Sequence, residues 1–504
     1  MNEINHDSVY QKADALSGEF DYSLNEIAVI LAAGHGKRIK STKSKMLHSI
    51  WGIPTVERVY NSTKDEISQM NTIIVVGIKA DDVMEVFGSK PHTKFAYQKE
   101  QKGTGHAVQV GIEKIDKDKF TGILYVLPGD MGLIDRKTMV DFRNDFVKSK
   151  ADMMVLTGIY EGPLEQNSYG RIVRVKDVDE AGSPSGVDFG KVIEIMEHKD
   201  ILALADDEIY RTEYNGKVYA FSRKELLVNR EFNSGVYAFD FKKLIDLIYR
   251  ITDNNAQGEI YITDLIGMFN KEGYAVKAVS PAEQYVVMGF NDKSVLKTME
   301  KVYRNIVYDK IGKIIEFDDP DDFYIHESVV EDILSMDKKG IPLDIRLGKG
   351  VYIGEGVSLN YNVWLKKNVF VNGNVKFGSG VTVWENAHLS CFQGQEFVIG
   401  DGVEILWGDI IKGNIVIGEG SKIESSVNMT GSDESPLRIG RNVLIKGTSY
   451  IFGSVIEDDI HIEHSVIIRK RVIRLQRRDG SIQSVRFYLP MPTGADVIED
   501  LREV

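Results

Sequence analysis

Lys37, Arg38, Lys40, Lys43 and Lys45 fall within nine residues of the stretch ILAAGHGKRIKSTKSKMLH, residues 30–48, in a 504-residue chain of net charge −13. No acid interrupts them. An apolar run that ends in two closely spaced glycines brings backbone N–H groups close to something, and phosphate is the common object. Cations behind such a loop neutralise a polyphosphate and the charge that grows as it is cleaved. The competing reading of the same five residues is a solvated helix face. The loop is neither GxxxxGK[ST] nor GxGxxG, since Ile39 holds the place of the third glycine.

The elements that must position this loop have two rhythms. From Ile27 to about residue 315, runs rich in β-branched residues (IAVILAAG, NTIIVVGI, GILYVLPGD, ADMMVLTG) alternate with amphipathic stretches such as PTVERVYNSTKDEISQM. Strands apolar on both faces, separated by helical spacing, predict an α/β doubly wound sheet. After the acidic, proline-containing FDDPDD (residues 317–322) and from Ile345 onward, the chain falls into sixes: IRLGKG, VYIGEG, VSLNYN, VWLKKN, VFVNGN, VKFGSG, VTVWEN, AHLSCF. Such units bury their apolar face only by stacking, which predicts a parallel β-helix, read first as a structural and oligomerising module. The expected divisions are an N-terminal extension (1–26), the α/β domain (27–315), a linker (316–344), the hexad repeats (345–470), and a basic hairpin with tail (471–504) about Asp479-Gly480.

Overall acidity argues against a nucleic-acid binder. The single cysteine, Cys391, excludes an internal disulfide framework and any Cys-based zinc site. The polar, acidic first residues lack the features of a secretory signal, and no apolar stretch is long enough to span a membrane, so a soluble, cytoplasmic protein is expected.

The basic glycine loop resembles the L-A-A-G-x-G-T-R-M and P-K-V-L-H signature of sugar-1-phosphate nucleotidyltransferases. QKEQKGTGHA, LPGDMGLI, YGRIVR, EHKD, EFNSG, NNAQGEIYITD and GFN follow in that family's order over residues 27–305. The set is most similar to the uridylyltransferase half of the bifunctional UDP-N-acetylglucosamine pyrophosphorylase and glucosamine-1-phosphate acetyltransferase family. The resemblance implies a Rossmann-like nucleotidyltransferase domain followed by a left-handed β-helix, which in related enzymes commonly forms trimers. It implies attack by N-acetylglucosamine 1-phosphate on the α-phosphorus of UTP, with pyrophosphate leaving. Arg38 and Lys45 would act on the phosphates; Leu31, Ala32, Ala33 and Gly34 would form the nucleotide loop, and Gln98, Gly103 and Thr104 would read uracil. Gly170, Glu197, Asn233 and Thr263 would line the sugar pocket, and Asp130 and Asn291 would hold Mg²⁺. Each has a plainer reading: Asp130 as a cap, Gln98 as an exposed strand-end amide, Glu197 as a surface ion pair with Lys199. His106 and His198 are read as structural.

The chain also departs from that family. Lys37 stands where Thr is usual, Ser44 where Pro is usual before Lys45, Ser168 where Gly is usual before Tyr169, and Gly132 where Pro often follows the aspartate. The segments on either side of Glu197 are extended, by a Gly-Ser-Pro loop before it and a long connection after it, which bears on sugar choice. R-x-R-P-G-A, G-N-F-V-E and N-Y-D-G, the acetyltransferase segments, are absent between Ile345 and Val472. His388, His461 and His464 are read as outward-facing polar residues. The expected enzyme is a monofunctional uridylyltransferase; a relative using another sugar or nucleotide, such as UDP-glucose, and a non-catalytic nucleotide-sugar scaffold are the alternatives.

Overall fold

Ile27–Ile30, Ile73–Val76 and Leu124–Leu127 are fully buried, as apolar runs covered on both faces must be. In the computed structural model, which describes residues 5–34, 36–64 and 70–487, they belong to one sheet. Its strand order is Val276–Val279, Met153–Ile159, Glu231–Asp240, Ile123–Pro128, Glu26–Ala32, Asn71–Val76, Thr93–Tyr97. Pairing along this path is parallel except around Glu231–Asp240, which runs antiparallel to both neighbours. The chain builds outward in both directions from Glu26–Ala32, so the strand order reverses there and a crevice opens beyond its carboxyl end. The glycine loop leaves from that end. One side of the sheet carries Val56, Val59 and Met84, the other Val108, Ile112 and Phe269. These residues lie within the first of two compact units, 1–300 and 301–504.

The segment expected to be an extension is folded. Val9 and Ala13, four apart on the helix His6–Leu16, are buried and draw it onto the sheet. Gly18 N–H then donates to the Thr93 carbonyl at 2.7 Å, and Ser17 Oγ accepts from Phe95 N–H at 2.9 Å, along the outer edge strand.

The long connection after Glu197 forms the antiparallel pair Ile209–Tyr214 and Lys217–Ser222, turned at Asn215-Gly216 with φ of 48° and 74°. Positive φ at both turn positions is what Asn-Gly supplies. With Val173, Ile193, Ile201 and Leu226, the strand residues Tyr219 and Phe221 make a small separate core.

The second unit is the left-handed parallel β-helix. Three parallel ladders run along it: one from Glu316–Phe317 to His461–Glu463, one from Phe323–Ile325 to Val466–Ile468, and one from Val375–Phe377 to Arg471–Val472. Leu347, Leu365, Val383, Ile405, Ile423 and Ile445 are buried in successive rungs of one ladder. The stretch expected to be a linker, 316–344, begins the solenoid: Glu316–Phe317 pairs with Arg346–Leu347 and Phe323–Ile325 with Val351–Ile353. The helix Glu327–Asp337 interrupts this first coil, which hides the six-residue period there. Tyr324, Tyr352, Phe370 and His388 stack rung over rung, with centroids 4.6, 4.7 and 4.5 Å apart.

The hairpin about Asp479-Gly480 is present as the bridge Gln476–Ile482, with Gly480 at φ 86°. Beyond it the chain returns to the last coil, where the Val485 and Phe487 carbonyls accept from Glu463 and Val466 N–H groups. Three arginines here pair with acids while staying exposed: Arg471 with Glu457 at 2.7 Å, Arg474 with Asp459 at 3.0 Å, Arg486 with Glu463 at 2.6 Å. The remainder of the tail call, 488–504, lies outside the described residues. No helix among the described residues is long and apolar enough to cross a membrane.

Candidate active site

Lys45 is only 8 % exposed, and a buried ammonium needs partners. The short turn Lys45–Leu47 aims it at Asp130 Oδ2, 2.5 Å away, and Asn291 Oδ1, 3.1 Å away, with the Phe290 ring centroid at 5.3 Å. Asp130 lies just past the strand Ile123–Pro128, and Asn291 just before the helix Lys293–Ile311. Two residues far apart in sequence, Asp130 and Asn291, thus share one cation. Gly36, at φ 61°, lies so close to the Lys45 stem that an added Cβ would stand 2.7 Å from Lys45 Cβ. His35, between the two glycines, lies outside the described residues.

Arg38 is exposed, on the turn Lys37–Ile39. It stands near Asp292, whose carboxyl is held below its usual range first by the Ser294 hydroxyl and in smaller part by the Arg38 charge. It does not line the cleft that gathers most of the expected residues.

That cleft, of about 670 Å³, opens at the carboxyl ends of the central strands. Leu31, Ala33, Gly34, Gln98, Gly103, Thr104, Asp130, Glu197, Asn233 and Thr263 line it. Ala32 does not: strand alternation turns its methyl into the hydrophobic layer with Val56 and Val59.

At one end, Gln98 follows the strand Thr93–Tyr97 and is 4 % exposed, so it is no exposed strand-end amide. Its Nε2 donates to the Gly103 carbonyl at 3.2 Å and lies 3.1 Å from His106 Nδ1. Gly103 holds φ 108°, and an added Cβ would sit 2.6 Å from the Ile260 carbonyl. The loop is fastened there by Gly105 N–H donating to Ile260 O at 2.8 Å and Ile260 N–H donating to Lys102 O at 2.7 Å.

At the other end, a bulge aims Asn233. Asn233 pairs with Thr157 but Val236 with Leu156, so Ser234 and Gly235 are extra residues on this strand. Gly235 takes φ 86°, and its N–H donates to Asn233 Oδ1 at 2.9 Å, fixing that side chain. The Gly170 carbonyl accepts from Asn233 N–H at 2.9 Å. An added Cβ at Gly170 would lie 3.2 Å from both Glu197 carboxylate oxygens, so Gly170 backs the acid rather than lining the cleft. Glu197 is raised to about 7, by burial first and then by Asp200, Asp264 and Glu259, against the opposing Arg171 charge. Burial, Asp200 and Glu194 likewise raise Asp264 to about 6. Lys199 bonds Gln257 instead, which removes the plain ion-pair reading of Glu197. Thr263 is 3 % exposed, and its hydroxyl has no partner among the described residues.

Sequence reasoning missed Gln101, Tyr237 and Glu259, which also line the cleft. Gln101 Nε2 donates to the Ala33 carbonyl at 2.6 Å, closing the Gln98–Gly103 loop onto the first strand. Its signal was its position inside QKEQKGTGHA, and that of Glu259 inside NNAQGEIYITD.

Comparison with known proteins places this geometry. The MobA-like NTP transferase domain matches residues 28–166. A bifunctional protein GlmU of Acetivibrio thermocellus is 34 % identical over 309 residues, 60 % of this chain and 57 % of that protein. A bifunctional protein GlmU of Streptococcus agalactiae serotype V is 30 % identical over 491 residues, 89 % of this chain and 96 % of that protein. A solved UDP-glucose pyrophosphorylase complexed with UDP-glucose is 16 % identical with TM-score 0.40, covering 56 % of this chain and 99 % of its own, too remote to carry an argument. The two-part architecture and the near full-length likeness agree: this chain belongs to the family of bifunctional GlmU proteins, with a nucleotidyltransferase domain at its N-terminal end.

Proposed function

We propose that this protein forms UDP-N-acetylglucosamine and pyrophosphate from UTP and N-acetylglucosamine 1-phosphate. One observation carries the reading: a single cleft of about 670 Å³ collects the glycine loop, the Gln98–Gly103–Thr104 group, Asp130, and the Glu197–Asn233–Thr263 group. The sugar phosphate is already ionised at neutral pH, so the reaction needs alignment and charge neutralisation more than a strong base. The unpartnered Thr263 hydroxyl and the Asn233 amide suit sugar hydroxyls and an N-acetyl group. Glu197, kept close to neutral by its surroundings, can both donate and accept. Lys45 brings an ammonium to the phosphate end, and Arg38 adds charge from the exposed turn beside it.

The residues present fit a hard divalent cation. Asp130 Oδ2 and Asn291 Oδ1 both lie within 3.1 Å of one ammonium, so they already converge on a site for positive charge. Mg²⁺ binds through one or two protein oxygens together with substrate phosphates and waters, and these two are the oxygens that would hold it. When bound, it supplies charge neutralisation and alignment at the phosphates.

Pyrophosphate release across a matrix of nucleoside triphosphates and sugar 1-phosphates tests the proposal. The UTP and N-acetylglucosamine 1-phosphate pair is expected to be fastest, and a faster pair replaces the substrate assignment. Uniform inactivity with UTP overturns it. Free thiol release from acetyl-CoA with glucosamine 1-phosphate tests the β-helix half, where no turnover is expected. We also propose trimers through the β-helix, whose exposed Trp407, Ile410, Tyr450 and Val455 support assembly; the mass in solution tests this.

A further inference from the structure

We infer that His106 is a positioning residue for nucleotide choice: it holds the Gln98 amide so that only its carbonyl oxygen faces the base end of the cleft. The inference rests on the uridylyltransferase reading above and goes beyond it, because it assigns a role to a side chain that does not line the cleft.

Gln98 has two N–H donors on Nε2 and one carbonyl acceptor, Oε1. The Gly103 carbonyl, 3.2 Å from the amide nitrogen, can only accept, so it must face the NH₂ group and not Oε1. His106 Nδ1, 3.1 Å from the same nitrogen, takes the second N–H when its own proton sits on Nε2. Both donors are then spent inside the protein. What the amide offers a ligand is Oε1 alone, an acceptor. The residue is 4 % exposed, so water gives the amide little freedom to turn.

The backbone holds His106 for this task. It stands on the helix Thr104–Ile112, whose start is fixed by Gly105 N–H donating to Ile260 O at 2.8 Å. His106 also lines a second cavity, of about 320 Å³, with Tyr10, Tyr97 and Lys99. With its proton on Nε2, the ring keeps the Nδ1 lone pair for Gln98.

An acceptor at this position discriminates between pyrimidines. Uracil presents an N3–H donor between two carbonyls, which Oε1 can accept. Cytosine presents a bare N3 acceptor there, so Oε1 would meet it lone pair to lone pair. A site built to pair a polar edge rejects the base that leaves its groups unpaired. If His106 loses its acceptor, one N–H of Gln98 is released, the amide can turn, and the discrimination weakens.

The test compares UTP with CTP in steady-state turnover on the full chain. His106→Leu removes the acceptor, and His106→Ala does so with less bulk if the leucine variant fails to fold. The UTP-to-CTP ratio of kcat/KM is expected to fall about tenfold, through a higher KM for UTP with kcat little changed. His106→Asn, whose Oδ1 can accept, is expected to restore most of the ratio. An unchanged ratio in a folded, UTP-active His106→Leu or His106→Ala overturns the inference, as does an equal loss with both nucleotides. Failure of the wild type to use UTP at all overturns the underlying uridylyltransferase reading instead, so the two failures are distinct.

Discussion

Lys45 Nζ and Asp130 Oδ2 lie 2.5 Å apart, and Asn291 Oδ1 also accepts from the ammonium, at 3.1 Å. The lysine comes from the loop after the first strand and the aspartate from the end of the strand beside it, so the pair spans the point where strand order reverses. It joins the cation proposed to act on the phosphates to the carboxylate proposed to hold metal.

Lys45→Ala is expected to lower kcat for pyrophosphate release by about 10²–10³-fold, the scale for losing a preorganised charge at a reacting group. Lys40→Ala, which removes an exposed cation of the same loop, should change it less than twofold. Equal losses in the two variants would show that only the loop's summed charge matters.

Metal dependence has its own signature. Dialysis against EDTA should abolish turnover and Mg²⁺ should restore it. Asn291→Leu, which deletes one of the two converging oxygens, should raise the Mg²⁺ concentration giving half-maximal rate by about tenfold. An unshifted Mg²⁺ dependence would remove Asn291 from the metal site.

Gly170→Ala places a methyl 3.2 Å from both oxygens of Glu197 and 3.0 Å from Ile195 Cγ2. The acid must move, so KM for the sugar 1-phosphate should rise about tenfold while KM for UTP stays within twofold. A change confined to UTP would mean that Glu197 belongs to the nucleotide end.

Glu197 also sets a pH dependence. Its ordinary value is 4.5 and its folded value about 7, so between them the folded chain keeps a proton the unfolded chain has released. Stability therefore falls as pH rises through that window, and Asp264, raised to about 6, acts in the same direction. Thermal melts of Glu197→Gln should show a smaller drop in Tm between pH 5 and pH 8 than the wild type. A parallel pair of curves would place the proton elsewhere.

Gly103→Ala forces a side chain onto a backbone at φ 108° with the Ile260 carbonyl 2.6 Å away. A loss of about 1–3 kcal/mol in denaturant unfolding is expected, with a raised KM for UTP. Gly182→Ala, at φ 83° with open space around it, bears the backbone strain without the collision and should cost less.

The parts of this fold that could be read ahead of the structure are those with a period. Continuous apolar runs such as Ile27–Ile30 could only be doubly covered strands, and the hexads beginning at Ile345 could only stack. The first coil escaped because the helix Glu327–Asp337 separates Phe323–Ile325 from the rungs that follow, and the proline and acids beside it mimic a linker. The N-terminal helix escaped because only Val9 and Ala13 are buried, too few to stand out in a polar segment. Asn215-Gly216 was a hairpin signal that went unread inside the long connection. At the site, residues of distinctive chemistry such as Asp130 and Glu197 were legible. Gln101 and Tyr237 were not, because what brings them to the cleft is loop closure and sheet geometry rather than local pattern.

The N-terminal segment has a further effect. Strand Thr93–Tyr97 ends the sheet, and a row of free backbone donors and acceptors there is a template on which another chain can add a strand. Ser17 and Gly18 take up the Phe95 donor and the Thr93 acceptor, and the helix His6–Leu16 lies across what remains. Covered in this way, this edge of the sheet is closed to an added strand, one of the devices by which edge-to-edge pairing between molecules is blocked.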